Sequence, residues 1–255
     1  MGASGRMGRA VVRLAREAGD DVVCAVGTAD VGRDVGELAG VGPLGTCVVD
    51  GLAALESARV DAVIDFSGPA ATLALAPIAA AAGLALVSGT TGLGDEGRAA
   101  LDGAAARVPV LWEPNMSLGV HVLAGLVEQA ARALAEWDAE IVETHHRAKV
   151  DAPSGTALRL AEAVRHARDR ASPLVHGRQG CPGPRASGEI GMHALRGGDV
   201  IGDHAVHLLG GGERLELAHR ATHRDVFAHG ALRAARWIAG RAPGRYGLRD
   251  VLASA

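Results

Sequence analysis

One stretch of fifteen residues concentrates the side chains able to do chemistry: Glu143-Thr144-His145-His146-Arg147-Ala148-Lys149-Val150-Asp151-Ala152-Pro153-Ser154-Gly155-Thr156-Ala157. It holds two imidazoles, one lysine and a Ser-Gly-Thr opening of a helix. Histidine titrates near neutrality and so can give or take a proton. An ammonium lends its proton and recovers it, while a guanidinium effectively cannot. The first turn of a helix offers backbone N–H donors and the positive end of a dipole, which suits a carboxylate. Together these point to an acid catalyst beside an anionic substrate; the plain alternative is a solvated polar loop. A metal site is not expected, because adjacent histidines diverge, a third ligand is lacking and no His-Glu-x-x-His spacing occurs.

Of the 26 Lys+Arg residues, Lys149 is the only lysine. Alanine, glycine and arginine dominate the chain, so arginine has taken the place of lysine wherever any cation serves. A lone lysine then marks a position that needs titration rather than charge, unless it is a chance survivor on a solvated face. Asn115 is likewise the only asparagine.

A second constellation opens the chain. Gly2-Ala3-Ser4-Gly5-Arg6-Met7-Gly8 spaces glycines three apart at the start of a helix, a pattern that lets a pyrophosphate approach the backbone. An ordinary glycine-rich turn has the same spacing, so the case rests on the strands and helices that follow. The acid that holds an adenosine ribose belongs at the end of the second strand. Here Val22 to Val26 runs into Gly27-Thr28-Ala29-Asp30, with no acid at the strand end and no arginine until Arg33. The choice between NADH and NADPH is therefore unreadable. Ser88-Gly89-Thr90-Thr91-Gly92 and Glu113-Pro114-Asn115-Met116-Ser117 each follow a buried strand, where ligands bind in open α/β sheets.

These clusters need a scaffold, and the first half supplies an alternating one. Asp21–Val26, Val60–Phe66, Leu84–Ser88 and Val108–Trp112 read as buried strands, with helices at Arg6–Ala18, Pro69–Ala82 and Gly94–Ala106 between them. After Asn115 the texture changes. Ser117 caps a helix to about Glu136, Asp138–Thr144 is a strand, and a helix runs from about Gly155 to Arg170. Ser172–Gly188, rich in Gly, Pro and Arg, is expected to be mobile. Glu189–Leu195, Val200–Leu208 and Glu213–His219 follow as antiparallel strands, and Asp225–Gly240 is a closing helix packing back on the first. His193, His204, His207, His219, His223 and His229 read as strand and loop residues and receive no role. The fold class is α/β: a doubly wound, Rossmann-like nucleotide domain (1–114 with about 225–255) and an α+β substrate and oligomerisation domain (115–224).

Composition narrows the class. A formal net charge of -3 without a basic run argues against nucleic acid. Apolar runs such as Leu73–Leu86 are broken by Pro77 and Gly83, so no membrane span is expected. Cys24, Cys47 and Cys181 are scattered and odd in number, which fits a reducing cytoplasm rather than a disulfide framework.

The run Glu-x-His-His-x-x-Lys-x-Asp-Ala-Pro-Ser-Gly-Thr-Ala resembles the signature of the 4-hydroxy-tetrahydrodipicolinate (dihydrodipicolinate) reductase family. The likeness extends to Gly-x-x-Gly-x-Met-Gly at the start, Asp65-Phe66-Ser67, Gly89-Thr90-Thr91-Gly92, Asn115-x-Ser117, Gly212-Glu213 and Arg249-Asp250-Val251-Leu252. It implies NADH- or NADPH-dependent reduction of a cyclic dicarboxylate in lysine and diaminopimelate biosynthesis by a cytoplasmic homotetramer. It implies His145 as proton donor or acceptor and Lys149 as proton donor. It implies substrate-carboxylate contacts at His146, Gly155 and Thr156. Dinucleotide contacts are implied at Gly2, Ala3, Ser4, Gly5, Arg6, Met7, Gly89, Thr90, Thr91, Glu113, Pro114, Asn115 and Met116. The chain departs from the family at Gly27-Thr28, where cosubstrate is selected, and at Gly68, where some members carry a basic residue.

Two alternatives share the nucleotide half: a related dehydrogenase of another amino or imino acid such as aspartate, and a dinucleotide-binding protein without catalysis. The first has no need of the histidine–lysine signature, and the second no need of a sole lysine. One element is missing from the pattern. A glycine turn of this kind should follow a central buried strand, yet Met1 stands directly before Gly2. The expectation is a native chain with roughly six to ten more residues forming that strand, and here a poorly anchored Gly2 turn in a sheet that is gapped or closed up.

Overall fold

The computed structural model describes residues 1–168 and 172–254. The chain divides into two compact units, Met1–Leu118 with Asp225–Ala255, and Gly119–Arg224. The first unit reaches past Pro114 because Met116 is buried in its core beside Leu111, Ala231 and Leu248.

The first unit opens with α1 (Arg6–Ala18), stopped by Gly19 in the left-handed conformation. Then come β1 (Ala25–Val26), α2 (Val35–Ala39), β2 (Val48–Val49), α3 (Ala53–Glu56), β3 (Val63–Asp65), α4 (Pro69–Ala82), β4 (Leu86–Ser88), α5 (Asp95–Ala105) and β5 (Pro109–Trp112). Pro69 starts α4 where its missing N–H costs nothing, and Gly83 ends it. Strands β3, β4 and β5 pair in parallel, with Ile64 opposite Val87 and Val87 opposite Leu111.

That sheet is interrupted. Strand β1 pairs with β2, apart from the sheet that holds β3. A slot of about 620 Å³ lies there, lined by Ala25, Val26, Val63 and Ile64 and floored by Val12, Ala15 and Leu232. The gapped sheet is as expected, but the weakly anchored Gly2 turn is not. Met1 donates to Ile64 O (2.8 Å) and its carbonyl accepts from Phe66 N (3.3 Å). Ala3 N donates to Val26 O (3.1 Å). Three residues of backbone therefore tie the turn to both strands.

The second unit holds α6 (Leu118–Ala133), β6 (Asp138–His145), α7 (Gly155–Arg168), β7 (Leu174–His176), β8 (Ile190–Arg196), β9 (Gly202–Leu209) and β10 (Arg214–Ala221). Its sheet is continuous, in the order β10-β9-β6-β8-β7. Every second residue of β6 points inward, so Ala139, Ile141, Glu143 and His145 are buried. The core adds Leu123, Val127, Leu160, Val164, Ile190, Val206 and Leu208. The expected strands β8, β9 and β10 do alternate in direction, but β8 and β9 are not neighbours: β6 lies between them, parallel to β8 and antiparallel to β9. Alternation in sequence fixes which face a side chain takes, not which strand it pairs with.

The expected mobile stretch Ser172–Gly188 is tied down: it carries β7, Arg178 pairs with Glu140 and Glu189, and Arg185 pairs with Glu140 and Asp138. The predicted end of the preceding helix, at Asp169 and Arg170, lies outside the described residues. The chain returns to the first unit through α8 (Asp225–Ile238), β11 (Gly244–Tyr246) and α9 (Leu248–Ala253). Ala228 and Leu232 of α8 pack on Leu14 and Ala15 of α1, as expected. Strand β11 extends the sheet beside β5. Like α2, β2, α3, β7 and α9, it was not anticipated. No helix of the described residues is long and apolar enough to cross a membrane.

Candidate active site

Strand β6 delivers His145 at its C-terminal end, with 8% of the residue exposed. Its Nδ1 lies 2.5 Å from Glu143 Oε2. The two residues share the inward face because they are two apart on a strand. Glu143 is only 1% exposed, which demands strong partners. Arg196, the last residue of β8, supplies them bidentately, Nη1 to Oε2 at 2.9 Å and Nη2 to Oε1 at 2.8 Å. The amide of Ser154 also donates to Glu143 Oε1, at 3.0 Å. Burial works to raise the Glu143 pKa, but Arg196, His145 and the Ser154 amide outweigh it and hold the carboxyl below its usual range. Burial pushes the His145 pKa down against the pull of Glu143.

The loop after β6 is held by the β8–β9 connection: His146 N donates to Val200 O (2.7 Å) and Gly197 N to His145 O (3.0 Å). Within it, Lys149 Nζ reaches both oxygens of Asp151, at 2.8 and 2.9 Å. That bond draws the Asp151 pKa down. Ser154 Oγ accepts from Ala157 N (3.2 Å), capping α7, so Gly155 and Thr156 occupy its first turn at the positive end of the dipole. His145, Lys149, His146, Gly155 and Thr156 thus come from one strand end, one loop and one helix start. Among the described residues no group of three His, Cys, Asp or Glu side chains is placed to hold a metal.

Residues that the sequence left without a role belong here. His204 of β9 stands edge-on to His145, ring centroids 5.1 Å apart, and its Nε2 lies 3.0 Å from Ser154 Oγ. Burial lowers its pKa to about 4. Glu143 lay inside the recognised cluster but was assigned nothing. Its position two residues before His145 in an inward-facing alternation was the available signal. Arg196 and His204 gave none, since their partners are distant in sequence.

The first unit carries the other set. Gly2 has φ 72°, and a Cβ on Gly8 would fall 2.2 Å from Gly2 O, so the turn and the start of α1 close on each other as only glycine permits. Gly5 N donates to Gly2 O (3.0 Å), placing Ala3 and Ser4 in the turn, and Arg6 and Met7 begin α1. Gly89, Thr90 and Thr91 follow β4. Thr90 Oγ1 donates to the fully buried Asp65, which also accepts from Ser67, Thr72 and Ser88. Glu113, Pro114, Asn115 and Met116 follow β5. Asn115 Oδ1 accepts from Ser117 N (2.9 Å) and Glu113 Oε1 from Leu248 N (3.4 Å). In the loop after β1, Asp30 (φ 56°) bonds both Arg9 and Arg33 at 3.0 Å. Sequence spacing missed Arg9, which reaches Asp30 from α1.

Residues 1–116 match the family model described as "Dihydrodipicolinate reductase, N-terminus", and residues 119–252 that described as "Dihydrodipicolinate reductase, C-terminus". The chain is 50% identical to 4-hydroxy-tetrahydrodipicolinate reductase of Myxococcus xanthus, over 98% of this chain and 95% of that one. It is 49% identical to the protein of that name from Alkalilimnicola ehrlichii, over 99% and 97%. Its fold is similar to the dipicolinate-bound dihydrodipicolinate reductase of Paenisporosarcina sp. TG-14, with TM-score 0.74 at 22% identity, covering 95% of this chain and 94% of that one.

Proposed function

The chain belongs to the dihydrodipicolinate reductase family, and on that premise we propose how its residues divide the labour of the reaction. It is an oxidoreductase of lysine and diaminopimelate biosynthesis that reduces 4-hydroxy-tetrahydrodipicolinate to tetrahydrodipicolinate. The conversion takes up one hydride and one proton and releases the 4-hydroxyl as water.

NADH or NADPH supplies the hydride. The residues that would hold it are the Gly2–Met7 turn, Gly89–Thr91 and Glu113–Met116, and the tight closure of Gly2 on Gly8 fits a pyrophosphate approach to the N-terminus of α1. Lys149 gives the proton that accompanies hydride. His145, whose pKa burial lowers, works as a neutral imidazole that accepts a proton during loss of the hydroxyl. His146, Gly155 and Thr156 bind the substrate's carboxylates at the start of α7. The observation that carries this division is the Glu143–His145 contact beside the Lys149 loop and the α7 N-terminus. Nicotinamide oxidation with enzymatically generated substrate tests it, and no oxidation with either cosubstrate would remove it.

Discrimination between NADH and NADPH is weak. Asp30, suited to a ribose hydroxyl, and Arg9 and Arg33, suited to a 2′-phosphate, neutralise one another. The kcat/KM values should differ by less than roughly a hundredfold, nearly 3 kcal/mol. A larger ratio would show that one of the three selects. The enzyme works as a homotetramer in the cytoplasm; its second unit leaves Leu195 and Leu215 exposed on the sheet for such an assembly.

A further inference from the structure

Glu143 touches every element that carries a reacting or binding residue of the second unit. Its Oε2 lies 2.5 Å from His145 Nδ1 and accepts from Arg196 Nη1, and its Oε1 accepts from Arg196 Nη2 and Ser154 N. Both oxygens are filled and the residue is 1% exposed, so it has no room to receive substrate. Arg196 Nη2 also donates to Asp151 O at 2.7 Å, and Asp151 holds Lys149. One buried carboxylate thus joins the end of β6, the end of β8, the first turn of α7 and the lysine loop.

We infer that Glu143 is the positioning residue of the reduction, fixing His145 in the Nδ1–H form so that Nε2 remains the proton acceptor. The inference rests on the reductase function given above. Arg196 is essential to the arrangement. Paired bidentately, it keeps Glu143 ionised and leaves the shared proton on the imidazole. The far side of the ring is kept open by Gly202, where a Cβ would lie 3.1 Å from His145 Nε2. The groups facing His145 are Glu143 on its own strand, Arg196 of β8, His204 of β9 and Lys149 of the following loop. Among them Glu143 is the acid in contact with the ring, so its charge governs both tautomer and basicity.

The test is 15N NMR of histidine-labelled protein across a pH series, with His145→Gln used to assign the signals. Wild-type His145 should titrate from the cation to the Nδ1–H tautomer; an Nε2–H tautomer overturns the inference without any further variant. In Glu143→Gln the Nδ1–H preference should weaken and the pKa fall, since the amide brings no charge. Turnover should drop about 10- to 100-fold, part of the ~10² to 10⁴ of acid–base catalysis, with substrate KM nearly unchanged and the acidic limb of the pH profile moved to lower pH. Glu143→Asp, which keeps the charge, should recover part of the wild-type tautomer. A folded Glu143→Gln protein with unaltered tautomer and pKa refutes the role. The tautomer measurement needs no substrate, so failure of the reductase function would be seen separately, as wild-type protein that oxidises no cosubstrate.

Discussion

Asp65 of the first unit and Glu143 of the second are both buried carboxylates near the C-terminal end of a strand, and the two are satisfied in opposite ways. Asp65, fully buried at the end of β3, accepts from the hydroxyls of Ser67, Thr72, Ser88 and Thr90 and from one amide, all neutral donors. Glu143 accepts from a guanidinium, an imidazole and an amide. Neutral donors confer shape: Asp65 ties the loops after β3 and β4 to α4 and contributes no proton chemistry. Charged donors confer control over protonation, because an ion pair beside an imidazole decides where a proton rests. The same contrast appears in the sheets. The second unit's ladder is continuous under the His145–Lys149 cluster, whereas the first unit's is split beside its glycine turn.

If the second unit is the seat of proton chemistry, Lys149→Arg is the harshest test. Arginine can still pair with Asp151, so the loop stays in place, but a guanidinium holds its proton too tightly to donate it. Turnover should fall by about 10² to 10⁴; steady-state kinetics within a few-fold of wild type would end the donor role. Next, Asp65→Ala should lower stability by roughly 2–4 kcal/mol, since several buried hydroxyls lose their acceptor. It should also raise the cosubstrate KM through Thr90. Thermal melts and kinetics check both, and a variant of normal stability with altered kcat would erase the distinction between the two carboxylates.

A third prediction concerns acid. His204 is held neutral by burial, its pKa lowered from 6.5 to about 4. Below pH 6.5 the unfolded chain takes up a proton that the folded residue refuses, so stability falls as pH drops from 6.5 towards 4 and the loss ends there. The span of about 2.5 pH units is worth roughly 3–4 kcal/mol at ~1.4 kcal/mol per unit. Urea midpoints at pH 7 and 4.5 should lie closer together for His204→Gln than for wild type. Equal spacing would mean that His204 is already charged in the folded state. The mildest expected effect is Thr156→Val, which should raise substrate KM by about fivefold, near 1 kcal/mol, and leave kcat alone. A fall in kcat with constant KM would assign Thr156 to the transition state instead.

Helices were the most legible part of the sequence. Arg6–Ala18 and Pro69–Ala82 are read to the residue, because glycine ends both and a proline starts the second. Strands were overextended: Asp21–Val26 shrinks to Ala25–Val26, since β1 has one partner strand and its early residues stay partly exposed. The pairing of β8 with β6 rather than with β9 was hidden because the same alternation serves any neighbour. At the site, His145, Lys149 and the α7 start lie within one local motif and could be found together. Arg196 and His204 reach that motif only through pairing of β8 and β9 with β6, a long-range contact that no local pattern encodes. Glu143 stood in plain view, but its importance depends on Arg196.

The slot between β1 and β3 bears on how this molecule is handled. Two short strand edges, Ala25–Val26 and Val63–Asp65, border one channel lined by apolar residues and, among others, by Asp20, Asp21, Arg59, Asp61 and Arg236. An extended apolar segment laid there would find backbone partners on both flanks, the arrangement by which exposed edges recruit foreign strands. During refolding at high concentration, the first unit is therefore where one molecule's unfolded strand can be captured by another. Among the described residues the second unit's sheet has no comparable interior gap, so aggregation should begin in the first unit and solubility should depend on chain concentration more than on the integrity of the histidine–lysine cluster.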